Sequence, residues 1–228
     1  FGVNPPTIGV MTFDGLDRLG MPYDFSFPGT YGEADRLTSK PINLGKKFNG
    51  QPFTEQDSVV LSFYYQPQGV GDDPQVEDSL ILDFFDVREN EWNRVWGGNG
   101  DSLRGFRLVE ILVDTNYLKK GFRFRFRNLA TLSGSLDHWN IDYVRLGEKI
   151  IFSNDQLIDV SFIGESPSFI KKYRSMPWNH YLEDPEAYTV NEIPLKIRNL
   201  RTGARVLQYQ FSIHNYDDTA SLYSSPDS

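Results

Sequence analysis

Cysteine is absent from all 228 residues, which removes disulfides, thiolate metal sites and cysteine nucleophiles together. Whatever its compartment, the protein has to be held by its core. Long apolar runs are absent too: no segment approaches the roughly 20 apolar residues of a membrane-crossing helix, so the chain is expected not to span a membrane. Basic charge is in deficit, with 23 Lys and Arg against 31 Asp and Glu and a net charge of -8. Nucleic-acid binding draws most of its affinity from basic clusters, so no nucleic-acid partner is expected.

Catalytic patterns are equally scarce. There is no Gly-x-Ser-x-Gly elbow, no His-Glu-x-x-His and no phosphate loop. A β-sandwich glycosidase spaces its acids along one strand, and the nearest approach, Glu89-Asn90-Glu91, sits in a turn and lacks the intervening Asp. His180 and His214 have no spacing that suggests zinc and read as structural. The expectation is a protein that binds and does not catalyse.

What the chain does have is aromatic side chains, 17 Phe and 12 Tyr within an aromatic content of 14%, and alternation. Phe122-Arg123-Phe124-Arg125-Phe126-Arg127-Asn128 alternates without a break, and after a Gly/Ser turn comes Asp137-His138-Trp139-Asn140-Ile141-Asp142-Tyr143-Val144. Period-two alternation marks a strand with one buried and one wet face, which predicts a long hairpin here. Further strands are predicted over 8–13, 35–44, 59–66, 79–86, 92–96 and 106–113, with turn residues between them. Such spacing without a helical period predicts an all-β antiparallel sandwich.

The prolines of Asn4-Pro5-Pro6-Thr7 read as extended linker, with order beginning at Ile8. After residue 148 the pattern changes. Residues 149–186 read as a linker with a short helix begun by Ser166-Pro167, and Met176-Pro177-Trp178 as a fixed, partly buried crossing. Residues 187–199 and 205–215 alternate again as two strands joined by a hairpin connection at 199–203. They either join the first sandwich or open a second, partial one over 187–228, and the second reading is preferred. A start at Phe1 with no start Met or leader, and an unmarked end at Ser228, suit a processed or excised fragment.

Several pieces, in order, resemble the MAM family. They are Thr12-Phe13-Asp14-Gly15, Leu37-Thr38-Ser39-Lys40-Pro41-Ile42-Asn43-Leu44, Leu61-Ser62-Phe63-Tyr64-Tyr65, Trp92 through Trp96 with Gly100, Phe122 through Phe126, and Trp139-Asn140-Ile141-Asp142-Tyr143-Val144. The cysteines of the vertebrate modules are missing, and the family's final Asp-Asp pair is Asp142-Tyr143 here. The stretches 9–17 and 126–134 resemble MAM-like regions of exported Bacteroidetes proteins. The resemblance implies a jelly roll over 8–148, followed by a helical linker and the opening strands of an Ig-like sandwich. It also implies export to the periplasm or cell surface and a protein partner at the cell envelope, the chain serving as an accessory subunit of an outer-membrane type IX secretion or gliding assembly. A carbohydrate-binding module with a structural calcium, taking polysaccharide, is the alternative.

Modules of this architecture often hold a structural calcium between the first and last strands, which needs six to eight oxygens. Asp14 and Asp142 match those positions, with Asp17 and Asp35 able to complete the shell; otherwise Asp14 caps a turn and Asp142 is an ordinary wet-face residue. Arg123, Arg125 and Arg127 line one strand face. They form either an anion-binding row for carboxylates or sulfated sugars, or a ladder of charges paired with Asp83, Glu110 or Asp114. His138 and Trp139, with Trp92 and Trp96, form either an aromatic platform for a sugar ring or part of the core.

Overall fold

The computed structural model describes residues 1–26, 30–102, 104–148, 160–200, 204, 206, 208, 212–214 and 221–224. The main body is built from β1 (Met11–Phe13), β2 (Tyr31–Thr38), β3 (Ile42–Asn43), β4 (Val59–Pro67), β5 (Ser79–Asp86), β6 (Glu91–Asn99), β7 (Arg107–Leu112), β8 (Lys120–Phe122), β9 (Phe124–Thr131) and β10 (Trp139–Glu148). Eight of these form two antiparallel sheets, in the orders β1-β10-β4-β7 and β2-β9-β5-β6, while β3 and β8 pair with each other. All-β architecture is thus what the alternation produces. Along the eight strands every step crosses to the other sheet except β5 to β6.

The inward faces meet in one core. Phe126 from β9 and Trp96 from β6 stand edge-on to Phe63 of β4, with ring centroids 4.8 and 5.1 Å away. Leu61, Leu80, Leu82, Phe84, Phe122 and Trp139 are sealed from solvent around them. Each such side chain contributes about 1.5–3 kcal/mol by leaving water, which is how a chain without disulfides holds together.

The predicted hairpin does not form. β9 pairs with β2 and β5, whereas β10 pairs with β1 and β4, so the connection at 132–138 arches over the end of the core. Asp137 sits in that arch at φ 58.

The N-terminal stretch is not a free linker either. Pro5 and Pro6 cannot donate hydrogen bonds, and the donors on either side are met by side chains of the β4–β10 pair: Val3 N–H by Gln66 Oε1 at 2.7 Å and Thr7 N–H by Asp142 Oδ2 at 2.8 Å. Residues 160–199 lie against this stretch, with Ser161 Oγ donating to the Pro6 carbonyl at 3.2 Å and Arg198 to that of Asn4 at 2.8 Å. There β11 (Val160–Phe162) pairs with β12 (Ile197–Asn199), and further on β13 (Ser212–His214) pairs with β14 (Ser221–Ser224).

Residues 166–173 are not helical; helices occupy Trp178–Glu183 and Pro185–Tyr188, the second capped by Asp184, which accepts from Ala187 N–H at 3.0 Å. Ser166-Pro167 marks a helix start only if the following residues have a face to bury, and Lys171 to Ser175 are all exposed. Trp178 is 66% exposed and stacks on Tyr181 of its own helix, so it is not a buried crossing. Residues 201–203 of the expected connection and much of the strand at 205–215 fall outside the described residues. Among the described residues no helix is long and apolar enough to cross a membrane.

Candidate functional site

The outer face of the β2-β9-β5-β6 sheet carries the most organised polar chemistry. Register places Arg125 and Arg127 of β9 beside Asp83 of β5, with Arg94 of β6 across from Asp83 and Arg36 of β2 across from Arg127. Asp83 is 1% exposed and accepts from Nε of both Arg125 and Arg127 at 2.7 Å. Burial pushes its carboxyl up, but the two guanidinium groups outweigh that and hold it below the usual carboxylate range. Hydrogen bonding to Asp83 raises Arg127 in turn. Glu33 pairs with Arg36 and lies 3.4 Å from Arg127.

Beneath this layer lies an aromatic pair, Phe85 and Trp92, with centroids 5.1 Å apart. Arg123 lies over Phe85 at 3.9 Å, and Arg125 over Trp92 at 4.5 Å. Such stacking holds the guanidinium planes in fixed orientation. Two members of the predicted arginine row therefore share one buried carboxylate, and the third rests on aromatics.

Trp92 and Trp96 differ by four positions and would share a face in a regular strand. Leu82 pairs with Trp96 while Asp83 pairs with Arg94, so Val95 is an extra residue, a bulge that reverses the facing of all that follows. Trp96 consequently packs on Phe63 and Tyr65 in the core, and Trp92 lies outside. The predicted platform of aromatics is not assembled: Trp139 is completely buried, because its place opposite Phe13 and Pro67 faces inward, and no sugar can reach its ring.

His138 lies apart, in a cleft of about 270 Å³ lined by Thr12, Asp14, Val70, Gly71 and Ser135. Its Nδ1 accepts from Asp72 N–H at 2.7 Å, which leaves the proton on Nε2, facing Ser135 Oγ at 3.0 Å. In that tautomer the imidazole donates to the serine and cannot serve as its base.

Of the four proposed calcium ligands, Asp14, Asp17 and Asp35 gather around the Tyr23 hydroxyl. Asp35 accepts from Tyr23 at 3.0 Å and from Gly15 N–H at 2.8 Å; Asp14 and Asp17 cap their own turns through Leu16 and Leu19. Burial first, and then the Asp35 hydrogen bond and charge, push the Tyr23 hydroxyl up to about 12. Asp142 is elsewhere. Thr12 pairs with Asn140, so Asp142 lies across from position 10, four residues and about 13 Å along the strand from Asp14. Both its oxygens bind Thr7, Oδ1 to the hydroxyl at 2.6 Å and Oδ2 to the N–H. One ion with ligands near 2.4 Å cannot take all four carboxylates. Among the described residues no group of three or more His, Asp or Glu stands ready to hold a metal.

One acidic pair has no forewarning in the pattern. Asp78 and Asp137, 59 positions apart in sequence, are 2% and 1% exposed and lie within hydrogen-bonding reach of each other. Burial, and then the charge of Asp137, push the Asp78 carboxyl up to about 6. Compared with known proteins, the chain matches no protein-family model and no curated protein.

Proposed function

We propose that this chain is a non-catalytic binding module of an exported protein, acting in the periplasm or at the cell surface, and that it engages a protein partner along the edge strand β7. Supporting the MAM-like jelly-roll reading of residues 8–148, consecutive strands pass from sheet to sheet in the manner of an antiparallel ribbon wound on itself. The strands beyond 187 are then the opening of an Ig-like unit. The setting implied by the family resemblance is an outer-membrane secretion or gliding assembly.

The observation that carries the reading is the geometry of β7. Val113 N–H donates to the Val59 carbonyl at 2.7 Å, so by antiparallel alternation residues 107, 109 and 111 bond to β4 while the backbone groups of Leu108, Glu110 and Leu112 point away from it. β7 ends its sheet among the described residues, and Leu108 and Leu112 are 46% and 61% exposed. An unpaired edge flanked by exposed leucines fits an extended polypeptide that adds a strand.

Glu110→Pro tests this. It removes one outward N–H without touching the β4 ladder, whereas Val109→Pro breaks the ladder itself. Pull-down from the native cell envelope is expected to recover a stoichiometric protein with the wild type and to lose it with the folded Glu110→Pro variant. Equal recovery by both would overturn the edge-strand reading.

A further inference from the structure

We infer that the outer face of the β2-β9-β5-β6 sheet binds an acidic polysaccharide, one whose sugars carry carboxylate or sulfate groups. This face is on the opposite sheet from β7, so the inference stands independently of the partner proposed there.

The first argument is charge. Arg36, Arg94, Arg123, Arg125 and Arg127 share this face, and among the described residues the carboxylates that ion-pair with them are Glu33 and Asp83, in a protein whose overall charge is -8. A local excess of cations against the sign of the whole molecule favours an anionic ligand here and repels it elsewhere. Asp83 is buried and bridges Arg125 and Arg127, which fixes their heads without satisfying all ten of their N–H donors. Arg36 has 54% of its side chain exposed, and Arg94 is exposed as well. These two stand on either side of the anchored pair.

The second argument chooses among polyanions. β9 and β5 are interior strands, so their backbone groups are taken by neighbours and a peptide finds no strand to pair with. Side chains alone must do the recognition. Glu33, partly exposed beside two arginines, supplies acceptors that sugar hydroxyls can use and that repel an acidic peptide. The half-buried Trp92, with Arg125 over its ring, serves here to hold that guanidinium in place. Duplex nucleic acid, with about one charge per 1.7 Å of axis, would extend beyond the face onto the acidic remainder of the molecule.

The test is binding of a galacturonate hexamer by calorimetry, beside a neutral glucose hexamer, polyglutamate and a DNA duplex. Amide hydrogen exchange locates the contact. The expected result is uronate binding that weakens as salt rises, added protection in β5, β6 and β9, and about a tenfold loss for each of Arg36→Ala and Arg94→Ala. Both side chains are exposed, so unchanged melting of these variants separates lost binding from lost folding. No uronate binding, equal binding of the neutral hexamer, or tighter binding of polyglutamate or DNA would each overturn the assignment.

Discussion

Gln66 holds Val3 by both of its backbone groups: its Oε1 accepts the Val3 N–H at 2.7 Å and its Nε2 donates to the Val3 carbonyl at 3.1 Å. A side-chain amide thus does for the proline-flanked N-terminal stretch what a neighbouring strand would otherwise do. The same Nε2 reaches the Arg104 carbonyl at 2.7 Å, so one buried glutamine joins three parts of the chain.

Replacing Gln66 by Leu keeps the bulk and strands those partners. The expected loss is about 3 kcal/mol, the sum of buried groups left unpaired, read as a lower urea midpoint. Hydrogen exchange at Val3 is expected to quicken in the same variant. A midpoint within error of the wild type would show that the N-terminal stretch is not held by this residue.

Asp78 makes stability depend on pH in a defined direction. Its folded carboxyl, raised to about 6 by burial and by Asp137, holds its proton more tightly than the unfolded chain does. Stability from this group is therefore full below the unfolded value near 4 and is lost as pH rises through about 6. Asp78→Asn keeps the acceptor for Gln75 N–H, offers a donor to Asp137, and removes the titration. It is expected to raise stability at pH 7.5 by on the order of 2 kcal/mol and to change it little at pH 4. Melting curves across that range check this, and parallel wild-type and variant profiles would refute it.

Asp83→Ala is expected to cost about 3 kcal/mol at neutral pH, because it leaves two guanidinium groups facing each other without their shared carboxylate. Asp83→Asn, which retains an acceptor, should lose less. The wild-type contribution is present above the ordinary carboxylate value and fades as acid takes the pH down through the depressed folded one. Chemical denaturation of both variants measures it, and an Ala variant as stable as the wild type would remove Asp83 from the role of anchor.

Part of the candidate face could be read directly from the chain. Arg123, Arg125 and Arg127 alternate with phenylalanines, so their common face follows from strand geometry alone. The pattern offers Asp83, Glu110 and Asp114 alike as partners for that row, and register selects Asp83. The spacing groups Trp92 with Trp96, and the Val95 bulge that separates them leaves no local signature, since an inserted residue looks like any other until its partner strand is known. Asp78 and Asp137 come from different loops, and only the folded chain brings them together.

Alternation, turn residues and aromatic content determined that this protein is all-β, because a two-residue period is a property of the strand itself. Tertiary structure decided which strands pair. Phe124–Thr131 and Trp139–Glu148 have the same alternation whether they form a hairpin or face each other across a core, and burying both apolar faces against each other puts them in separate sheets. It likewise decided that Asp142 binds Thr7, that Gln66 holds Val3, and that an acidic protein presents one arginine-rich face. These depend on register and on contacts between residues distant in sequence, which no local pattern encodes.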